Sequence, residues 1–246
     1  MRIIRCYCEA LAGPEVVLDA VRAHHLRDVL RLGTGAEVEL FDGAGTTARG
    51  IIRDVARKTI TLSVEEIRHH PPRTDGRIIL AVSLAKGSRF DDVITRCTEL
   101  GVDHLAAVRF TRTVKQAAGP VAARRRRLLA ISAAQQCGRV FLPRLTGPED
   151  FEDAMETLRA EYPGARWLFG GFSAQARPLL RQVDAGADTI IVVGPEGGLT
   201  ESEQALLRQT GAVEISLTRT TLRIETAALA VGAVLCVMRD GAPADL

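Results

Sequence analysis

Short runs of β-forming residues, separated by glycines, make up most of the first 68 positions of the chain. They predict strands at 3–7, 16–18, 37–41, 48–54 and 59–64. One helical pattern interrupts these runs over residues 20–32, with Asp19 at the position of its N-cap. Residues 69–76 (HHPPRTDG) then break both periodicities. The pattern predicts a small β-barrel-like domain over residues 1–70.

From residue 77 onward, strand patterns and helix patterns alternate. Such alternation is typical of an α/β domain with a mostly parallel sheet, here predicted over residues 77–246. Strands are predicted at 78–84, 104–110, 166–170, 189–194 and 213–217, and helices at 89–100, 121–136, 150–161, 201–209 and from 225 onward.

Composition indicates an ordinary globular protein, since 46% of the 246 residues are hydrophobic and 25% are charged. The longest apolar run, residues 227–238, is shorter than the roughly 18 residues of a membrane span. The first residues lack the pattern of a signal peptide, and five cysteines are too few for a disulfide framework. We therefore expect a cytoplasmic protein with no membrane partner. Cys6 and Cys8 have no second ligand pair at zinc spacing, so no metal is expected.

The near-neutral total charge of +2 conceals an uneven distribution along the chain. Residues 76–147 contain 13 lysines and arginines against 4 acidic residues, whereas residues 148–246 contain 8 against 15. A basic surface attracts polyanions because phosphate contacts release counterions. The middle of the chain is therefore a candidate nucleic-acid surface.

Two loops at predicted strand ends carry the candidate chemistry. The strand 189–193 runs into Gly194-Pro195-Glu196-Gly197-Gly198, and the strand 213–217 runs into the polar segment 218–226. Parallel sheets bind ligands at the carboxyl ends of their strands. The first loop matches neither a dinucleotide fingerprint nor a P-loop, because the lysine of a triphosphate site is missing. A plain strand-to-helix turn, capped by Thr200, is the alternative interpretation.

Five motifs together resemble one known family. They are Lys86-Gly87-x-Arg89, Glu99-Leu100-Gly101-Val102, Gln136-Cys137-Gly138-Arg139, Gly194-Pro195-Glu196-Gly197-Gly198-Leu199 and Leu222-Arg223-x-Glu225-Thr226-Ala227. In this order they resemble the small-subunit ribosomal RNA uridine-N3 methyltransferases (RsmE type) of the SPOUT superfamily. The amino-terminal segment 25–32 resembles the PUA-like RNA-binding module of the same family.

The resemblance implies a PUA-like β-barrel followed by a SPOUT domain with a deep carboxyl-terminal trefoil knot. It also implies a homodimer that uses S-adenosylmethionine to methylate N3 of one uridine in the decoding region of 16S rRNA, on the 30S subunit. The apolar segment 227–238 is a separate hint of a dimer, although burial within its own chain explains it equally well.

The resemblance and the chemistry of methyl transfer together assign candidate roles. Arg223 is expected to stabilise charge that develops on the uracil oxygen, and Glu225 or Glu196 to accept the N3 proton. A helix-terminal carboxylate at Glu225 and an ordinary ion pair at Arg223 are the structural alternatives. The predicted cofactor contacts are Phe169, Gly170, Gly194, Pro195, Glu196, Gly197, Gly198, Leu217, Leu222, Arg223 and Thr226. The predicted RNA contacts are His25, Arg27, Arg31, Lys86, Arg89, Arg112, Lys115, Arg124, Arg125 and Arg139.

The chain departs from the family pattern at Thr218, where the family has glycine, and at Thr220, where it has arginine. An RNA-binding or ribosome-assembly factor that has lost catalysis through these changes is therefore the competing hypothesis. A metabolic nucleotide-binding enzyme is a third, but it would have no use for the basic segment. Binding of S-adenosylmethionine separates the enzyme from the scaffold.

Overall fold

A computed structural model describes residues 3–11, 13–85, 87–113 and 119–241 of the chain. The described residues form two compact units. The first unit extends to Pro72 and includes Ile131–Leu142, and the second contains Arg73–Ala130 and the chain from Pro143 onward.

The first unit is built on one five-stranded sheet, and its order along the sheet is β1-β3-β4-β5-β2. Its strands are β1 (Ile4–Tyr7), β2 (Glu15–Leu18), β3 (Glu37–Phe41), β4 (Thr46–Val55) and β5 (Ile60–His69). Only the β1–β3 pairing is parallel among the pairings of this sheet in the described residues. Alternate residues of these strands, such as Val38, Leu40 and Leu62, fill its core.

The predicted helix 20–32 is shorter and less regular than expected. Asp19 is the N-cap of helix α1 (Ala20–His24), and its side chain accepts a hydrogen bond from the Arg22 backbone N–H. A π-helical turn, His25–Val29, follows directly. Its one deeply buried residue, Leu26, packs into the core of the sheet.

Residues 131–142 group with the first unit, although the predicted domain ranges, 1–70 and 77–246, placed them in the second. Ile131 and Ala134 pack against the aromatic rings of Tyr7 and Phe41. The Arg5 guanidinium adds hydrogen bonds of 2.9 and 3.0 Å to the carbonyl oxygens of Ala134 and Arg139. These contacts join positions about 130 residues apart, which local sequence patterns do not reveal.

The second unit contains a seven-stranded sheet in which every pairing is parallel, in the order β10-β12-β9-β11-β6-β7-β8. Its strands are β6 (Ile78–Ser83), β7 (His104–Arg109), β8 (Arg144–Asp150), β9 (Arg166–Gly170), β10 (Arg177–Pro178), β11 (Thr189–Val193) and β12 (Val213–Ser216). Its helices are α2 (Arg89–Leu100), α3 (Pro120–Cys137), whose last residues belong to the first unit, α4 (Phe151–Glu161), α5 (Glu201–Gln209) and α6 (Ile224–Asp240).

Helices cover both faces of this sheet, which explains why its central strands are uniformly apolar. On one face, α4 and α5 pack on alternate residues of β6, β7, β9 and β11, including Ile79, Val108 and Ile190. Helices α2 and α6 contact each other, and α6 also contacts β6 and β11. Gly232 of α6 lies close to Leu80 of β6 and Leu100 of α2. No helix in the described part of the chain is long and apolar enough to cross a membrane.

Two strands were missed by the sequence prediction. Strand β8 has the sequence RLTGPED, whose glycine, proline and acidic residues are unfavourable for a strand, yet it pairs in parallel with β7 at the sheet edge. Strand β10 has two residues and pairs with β12 at the opposite edge. Edge strands need only one partner and one covered face, so their sequences carry a weaker signal.

A buried histidine connects three elements of the second unit. His104 is 1% exposed, and its Nδ1 lies 3.0 Å from the Tyr162 hydroxyl while its Nε2 lies 2.8 Å from the Thr146 hydroxyl. A neutral imidazole has one donor and one acceptor, so both contacts are satisfied without a charge. Burial, with a smaller contribution from Arg144, lowers the pKa of His104 to about 4.

We predict that the second unit loses stability as the pH falls from about 6.5 to about 4. In this window an unfolded histidine takes up a proton and the folded His104 does not, so protonation favours unfolding by about 3 kcal/mol in total. Urea unfolding measured at several pH values checks this. His104→Gln should flatten the fall, whereas His69→Gln, at an exposed position of the other unit, should leave it as in the wild type. An unchanged slope in His104→Gln would contradict the assignment.

Candidate active site

A cavity of about 440 Å³ opens at the carboxyl ends of strands β9, β11 and β12. Small-molecule sites typically measure about 300–1,000 Å³. Three loops and the first turns of α6 form its walls. The lining residues are Gly170, Gly171, Phe172, Ser173, Ile191, Val193, Gly194, Pro195, Glu196, Gly198, Leu199, Gln204, Glu214, Ile215, Leu217, Thr218, Thr220, Thr221, Leu222, Ile224, Ala227 and Val231.

The loop 194–198 connects β11 to α5 and is a tight turn. The Gly198 N–H donates to the Pro195 carbonyl oxygen at 2.8 Å, and Gly198 has a φ of +72°, a conformation that favours glycine. A Cβ on Gly194 would lie 2.9 Å from the Leu199 side chain. The glycines therefore let the loop fold tightly against the cavity.

Glu203 holds the end of this loop in place. Its Oε2 accepts from the Thr200 N–H at 2.7 Å, completing a capping box, and its Oε1 accepts from the Thr111 N–H at 2.8 Å. Burial alone would raise the pKa of Glu203, but the hydrogen bonds from Thr111 and Thr200 outweigh it and lower the pKa. One carboxylate thus joins the loop after β7 to the start of α5, and the predicted N-cap at Thr200 is present.

The loop 217–222 connects β12 to α6 and forms the facing wall of the cavity. The Thr218 hydroxyl donates to the Thr220 carbonyl oxygen at 2.8 Å, so the two threonines that depart from the family pattern stabilise this turn. Arg223 is the N-cap residue of α6, and its carbonyl oxygen accepts from the Ala227 N–H at 2.8 Å. The two predicted loops therefore do line one cavity.

Two carboxylates and one arginine meet beside this cavity. Arg89 Nη1 lies 2.9 Å from Glu196 Oε1, and Arg89 Nε lies 3.8 Å from Glu225 Oε1. The Glu225 side chain is 17% exposed, against 45% for Glu196. The second oxygen of Glu225, Oε2, is buried and has no hydrogen-bond partner among the described residues. Glu225 lies in the first turn of α6 and is not among the residues that line the cavity.

Not every predicted cofactor contact reaches the cavity. Phe169 is 1% exposed and packs in the core, because its position in β9 faces helices α4 and α5. Gly197 faces Arg112, whose Nη1 donates to the Gly197 carbonyl oxygen at 2.6 Å. Arg223 and Thr226 are exposed at the start of α6 and are not part of the lining. The predicted contacts that line the cavity are Gly170, Gly194, Pro195, Glu196, Gly198, Leu217 and Leu222.

The predicted RNA contacts in the second unit differ in their solvent exposure and in their contacts with other side chains. Arg124 and Arg125 are exposed, although Arg125 pairs with Asp91 at 2.6 Å. Arg126 instead packs over the ring of Phe90, and burial lowers its pKa. Arg89 and Arg112 both hold the loop 194–198. Lys86 and Lys115 lie outside the described residues.

The predicted RNA contacts of the first unit have structural contacts as well. Arg27 pairs with Asp28 and donates to the carbonyl oxygens of Ala56 and Arg57 at 2.9 and 2.7 Å. The hydrogen bond that the Arg27 guanidinium donates to the Asp28 carboxylate lowers the pKa of Asp28 to about 2. His25 and Arg31 are exposed, and Arg31 has a positive φ of 55°. Arg139 is half-buried, and its carbonyl oxygen accepts a hydrogen bond from Arg5.

Sequence reasoning missed the third loop of the cavity, residues 170–173, apart from Gly170. Phe172, Ser173 and Glu214 all contribute to the lining. The sequence did contain a signal for this loop, namely its place directly after the apolar strand β9. The other two loops follow β11 and β12 in the same way. The described part of the chain contains no group of three histidine, cysteine or acidic side chains arranged as metal ligands.

Two family models match the chain: an RNA methyltransferase domain over residues 72–236 and an RNA methyltransferase PUA domain over residues 18–65. Two proteins named ribosomal RNA small subunit methyltransferase E are among its relatives. The one from Mycobacterium tuberculosis is 31% identical over 90% of this chain and 86% of its own length. The one from Synechocystis is 30% identical over 89% and 72%.

The chain belongs to this RNA methyltransferase family. The structure of a putative methyltransferase from Legionella pneumophila, in complex with the bound cofactor S-adenosylmethionine, superimposes with a TM-score of 0.85 and 25% identity over 97% of this chain and 98% of that one. The predicted family, the methyltransferase activity, its cofactor class and the SPOUT-type α/β fold behind a PUA-like domain are thereby confirmed. The trefoil knot stays a prediction.

We predict that Glu203→Gln lowers the free energy of unfolding by about 2 kcal/mol, because an amide offers one acceptor oxygen to two backbone donors and leaves one of them unsatisfied. Chemical denaturation measures the loss. Glu201→Gln is the matched control, since Glu201 is an exposed residue in the same helical turn and should cost only a few tenths of a kcal/mol. Equal effects of the two substitutions would contradict this role for Glu203.

Proposed function

We propose that the chain methylates N3 of a uridine in the decoding region of 16S rRNA, on the 30S subunit, with S-adenosylmethionine as the methyl donor. The observation that carries the proposal is the convergence of the loops 194–198 and 217–222 on one cavity, with the buried, unpartnered Glu225 oxygen in the helix that follows. The names of the relatives from Mycobacterium tuberculosis and Synechocystis support rRNA of the small subunit as the substrate.

The cavity fits the methyl donor in size and in the chemistry of its walls. Apolar side chains such as Ile215, Leu217 and Leu222 suit an adenine ring, and the glycines bring backbone N–H and C=O groups within reach of it. The cofactor bound in the Legionella relative supports the same use here. When bound, S-adenosylmethionine supplies a sulfonium methyl group that a ring nitrogen attacks in line.

Glu225 is the better of the two candidate proton acceptors. Uridine N3 carries a proton at neutral pH, so a base must accept it before or during the attack. Glu196 already pairs with Arg89 at 2.9 Å and is largely exposed, whereas Glu225 retains one unpartnered oxygen. In this proposal Glu225 Oε2 accepts the N3 proton.

Arg223 is proposed to stabilise the charge that develops on a uracil oxygen as the N3 proton leaves. The residue is exposed at the N-cap of α6, two positions before Glu225. Its guanidinium is not part of the cavity lining in this structure, which leaves it free to reach an incoming base from the rim.

We expect Arg223→Ala to keep the fold and to lower methyl transfer by about 10²–10³-fold, the usual effect of removing one donor to a developing anion. Glu225→Gln should lower the rate by about 10²–10⁴-fold, because the amide cannot accept the proton. Incorporation of a labelled methyl group into 30S subunits measures both rates. The matched control is Arg181→Ala, an exposed arginine outside the cavity lining, with an unchanged rate. Wild-type rates in both test variants would exclude these roles.

The exposed arginines of α3 are proposed to contact the RNA backbone, together with His25, Arg27, Arg31, Arg89, Arg112 and Arg139, and with Lys86 and Lys115. Arg124 and Arg125 are exposed on α3, whereas Ala130 of the same helix is buried. Arginine suits this role because its guanidinium binds phosphate through two hydrogen bonds. Arg126 is half-buried and stacks on Phe90, so it is not proposed as a phosphate contact.

We predict that the affinity for 16S rRNA falls with salt, with a slope of about −0.7 in log K against log salt for each phosphate neutralised on a single strand. Arg124→Gln should make the slope shallower by about one such increment, whereas Arg126→Gln should leave it unchanged. Filter binding or fluorescence anisotropy over a salt series gives the slopes. A slope of zero in the wild type would refute the basic-surface proposal.

The proposed homodimer is supported by exposed apolar side chains at the end of α6. Thr226, Ala230, Ala233 and Val237 follow helical spacing along one side, and Val237 is 68% exposed. Met238 beside it is 45% exposed. Large apolar side chains at such exposure suit a surface that a second copy covers.

A further inference from the structure

Phe172 is a large aromatic side chain that lines the cavity and is 70% exposed to solvent. It follows the end of β9 and belongs to the loop that the sequence motifs did not mark. An exposed phenylalanine gains nothing from hydrophobic burial, so its position at the rim calls for another explanation. The hydrogen bonds of the residues on either side of Phe172 supply that explanation.

The residues that flank Phe172 are fixed by hydrogen bonds. The Gly171 N–H donates to the Ile215 carbonyl oxygen at 3.0 Å. The Ser173 N–H and hydroxyl donate to Glu214 Oε1 and Oε2, both at 2.9 Å. Phe172 therefore sits between two anchored neighbours, and its ring is held at the rim without being packed.

The anchor is a nearly buried carboxylate. The Glu214 side chain is 9% exposed, and Arg208 Nη2 lies 2.9 Å from its Oε2. Burial raises the pKa of Glu214, but the hydrogen bonds of Ser173 and Arg208 outweigh it and lower the pKa. A Cβ on Gly171 would lie 2.1 Å from Glu214 Oε1, so this approach requires glycine.

The order of the strands decides which end of a ligand meets Phe172. The proposed reacting groups, Glu225 and Arg223, lie at the start of α6, which packs on β6 and β11. Phe172 follows β9, whose other neighbour is β12. In the methyl donor, the sulfonium methyl and the adenine ring lie at opposite ends of the ribose. With the methyl group near α6, the adenine lies on the side of β9 and β12.

We propose that Phe172 stacks on the adenine ring of the methyl donor and closes the cavity over it. The inference rests on the proposed function, because it assumes the methyl donor in this cavity. Stacking suits an exposed ring, since a purine offers a flat π-face and loses little conformational freedom on binding. Glu214, Ser173 and Arg208 are then positioning residues, which hold the loop that carries the ring.

The test measures binding of S-adenosylhomocysteine, the product of methyl transfer, to the full-length protein. Phe172→Ala should weaken binding about tenfold, as expected for the loss of one stacked aromatic ring. Leu180→Ala, at an apolar side chain that is 67% exposed and does not line the cavity, is the matched control and should bind as the wild type does. Isothermal titration calorimetry gives the affinities.

A second variant reports stacking directly. The chain has one tryptophan, Trp167, which is 8% exposed in the core, so an indole introduced by Phe172→Trp is the only one at the cavity. S-adenosylhomocysteine should quench its fluorescence, whereas methionine, which lacks the adenine, should not. The affinity should stay within a few-fold of the wild type.

The outcomes separate the inference from the function on which it rests. Wild-type affinity in Phe172→Ala, or an indole that responds to rRNA but not to S-adenosylhomocysteine, would overturn the stacking role while leaving the methyl-donor site intact. If the wild type itself binds no S-adenosylhomocysteine, the proposed function fails, and the stacking role fails with it. Weakened binding together with adenine-dependent quenching supports both.

Discussion

Parallel pairing of β9, β11 and β12 is the constraint on which the candidate active site depends. Because the three strands run in the same direction, the chain leaves all of them at the same edge, and the loops that follow form one cavity. The alignment is maintained by buried side chains on both faces, such as Ile190 toward α5 and Leu80 toward α6. To form the cavity, the loops then need only keep their own conformation at that edge of the sheet.

Two carboxylates, the buried Glu203 and the nearly buried Glu214, hold these loops by accepting backbone hydrogen bonds. Glu203 accepts from Thr111 and Thr200, and Glu214 accepts from Ser173. In each case the hydrogen bonds outweigh the cost of burial, which is why the pKa falls. Rigid loops at a binding site reduce the conformational entropy that a ligand must remove on binding. The site is therefore organised by side chains that need not touch the ligand.

Local patterns in the sequence were sufficient for most of the fold. The helices α2 and α5 and the strand β9 begin and end where they were predicted, because capping residues and apolar runs define them locally. The strands β8 and β10 escaped prediction because their stability comes from a neighbouring strand. The association of residues 131–142 with the first unit escaped it because the partners, Arg5 and Phe41, are distant in sequence.

The same distinction applies to the site. Glycines and polar residues after an apolar strand marked the loops 194–198 and 217–222. The loop 170–173 follows the apolar strand β9 in the same way, but the exposure of Phe172 is a property of the folded chain that no sequence pattern reveals. Likewise, the sequence could not separate arginines that hold the protein together from arginines free to bind RNA. Arg89 and Arg112 have contacts with the loop 194–198, whereas Arg124 is simply exposed on α3.

The position of Arg89 between two carboxylates resolves an electrostatic conflict. A site that receives RNA must not repel it, yet the proposed chemistry needs an anionic proton acceptor. Arg89 neutralises Glu196 at 2.9 Å, and its longer contact of 3.8 Å with Glu225 offsets part of the second charge without occupying the second oxygen. Arg112, which contacts the same loop, and Arg223 at the start of α6 add two further cations at this edge. A polyanion that approaches this edge therefore meets carboxylates whose charge neighbouring arginines offset, while the buried Glu225 Oε2 stays unpartnered.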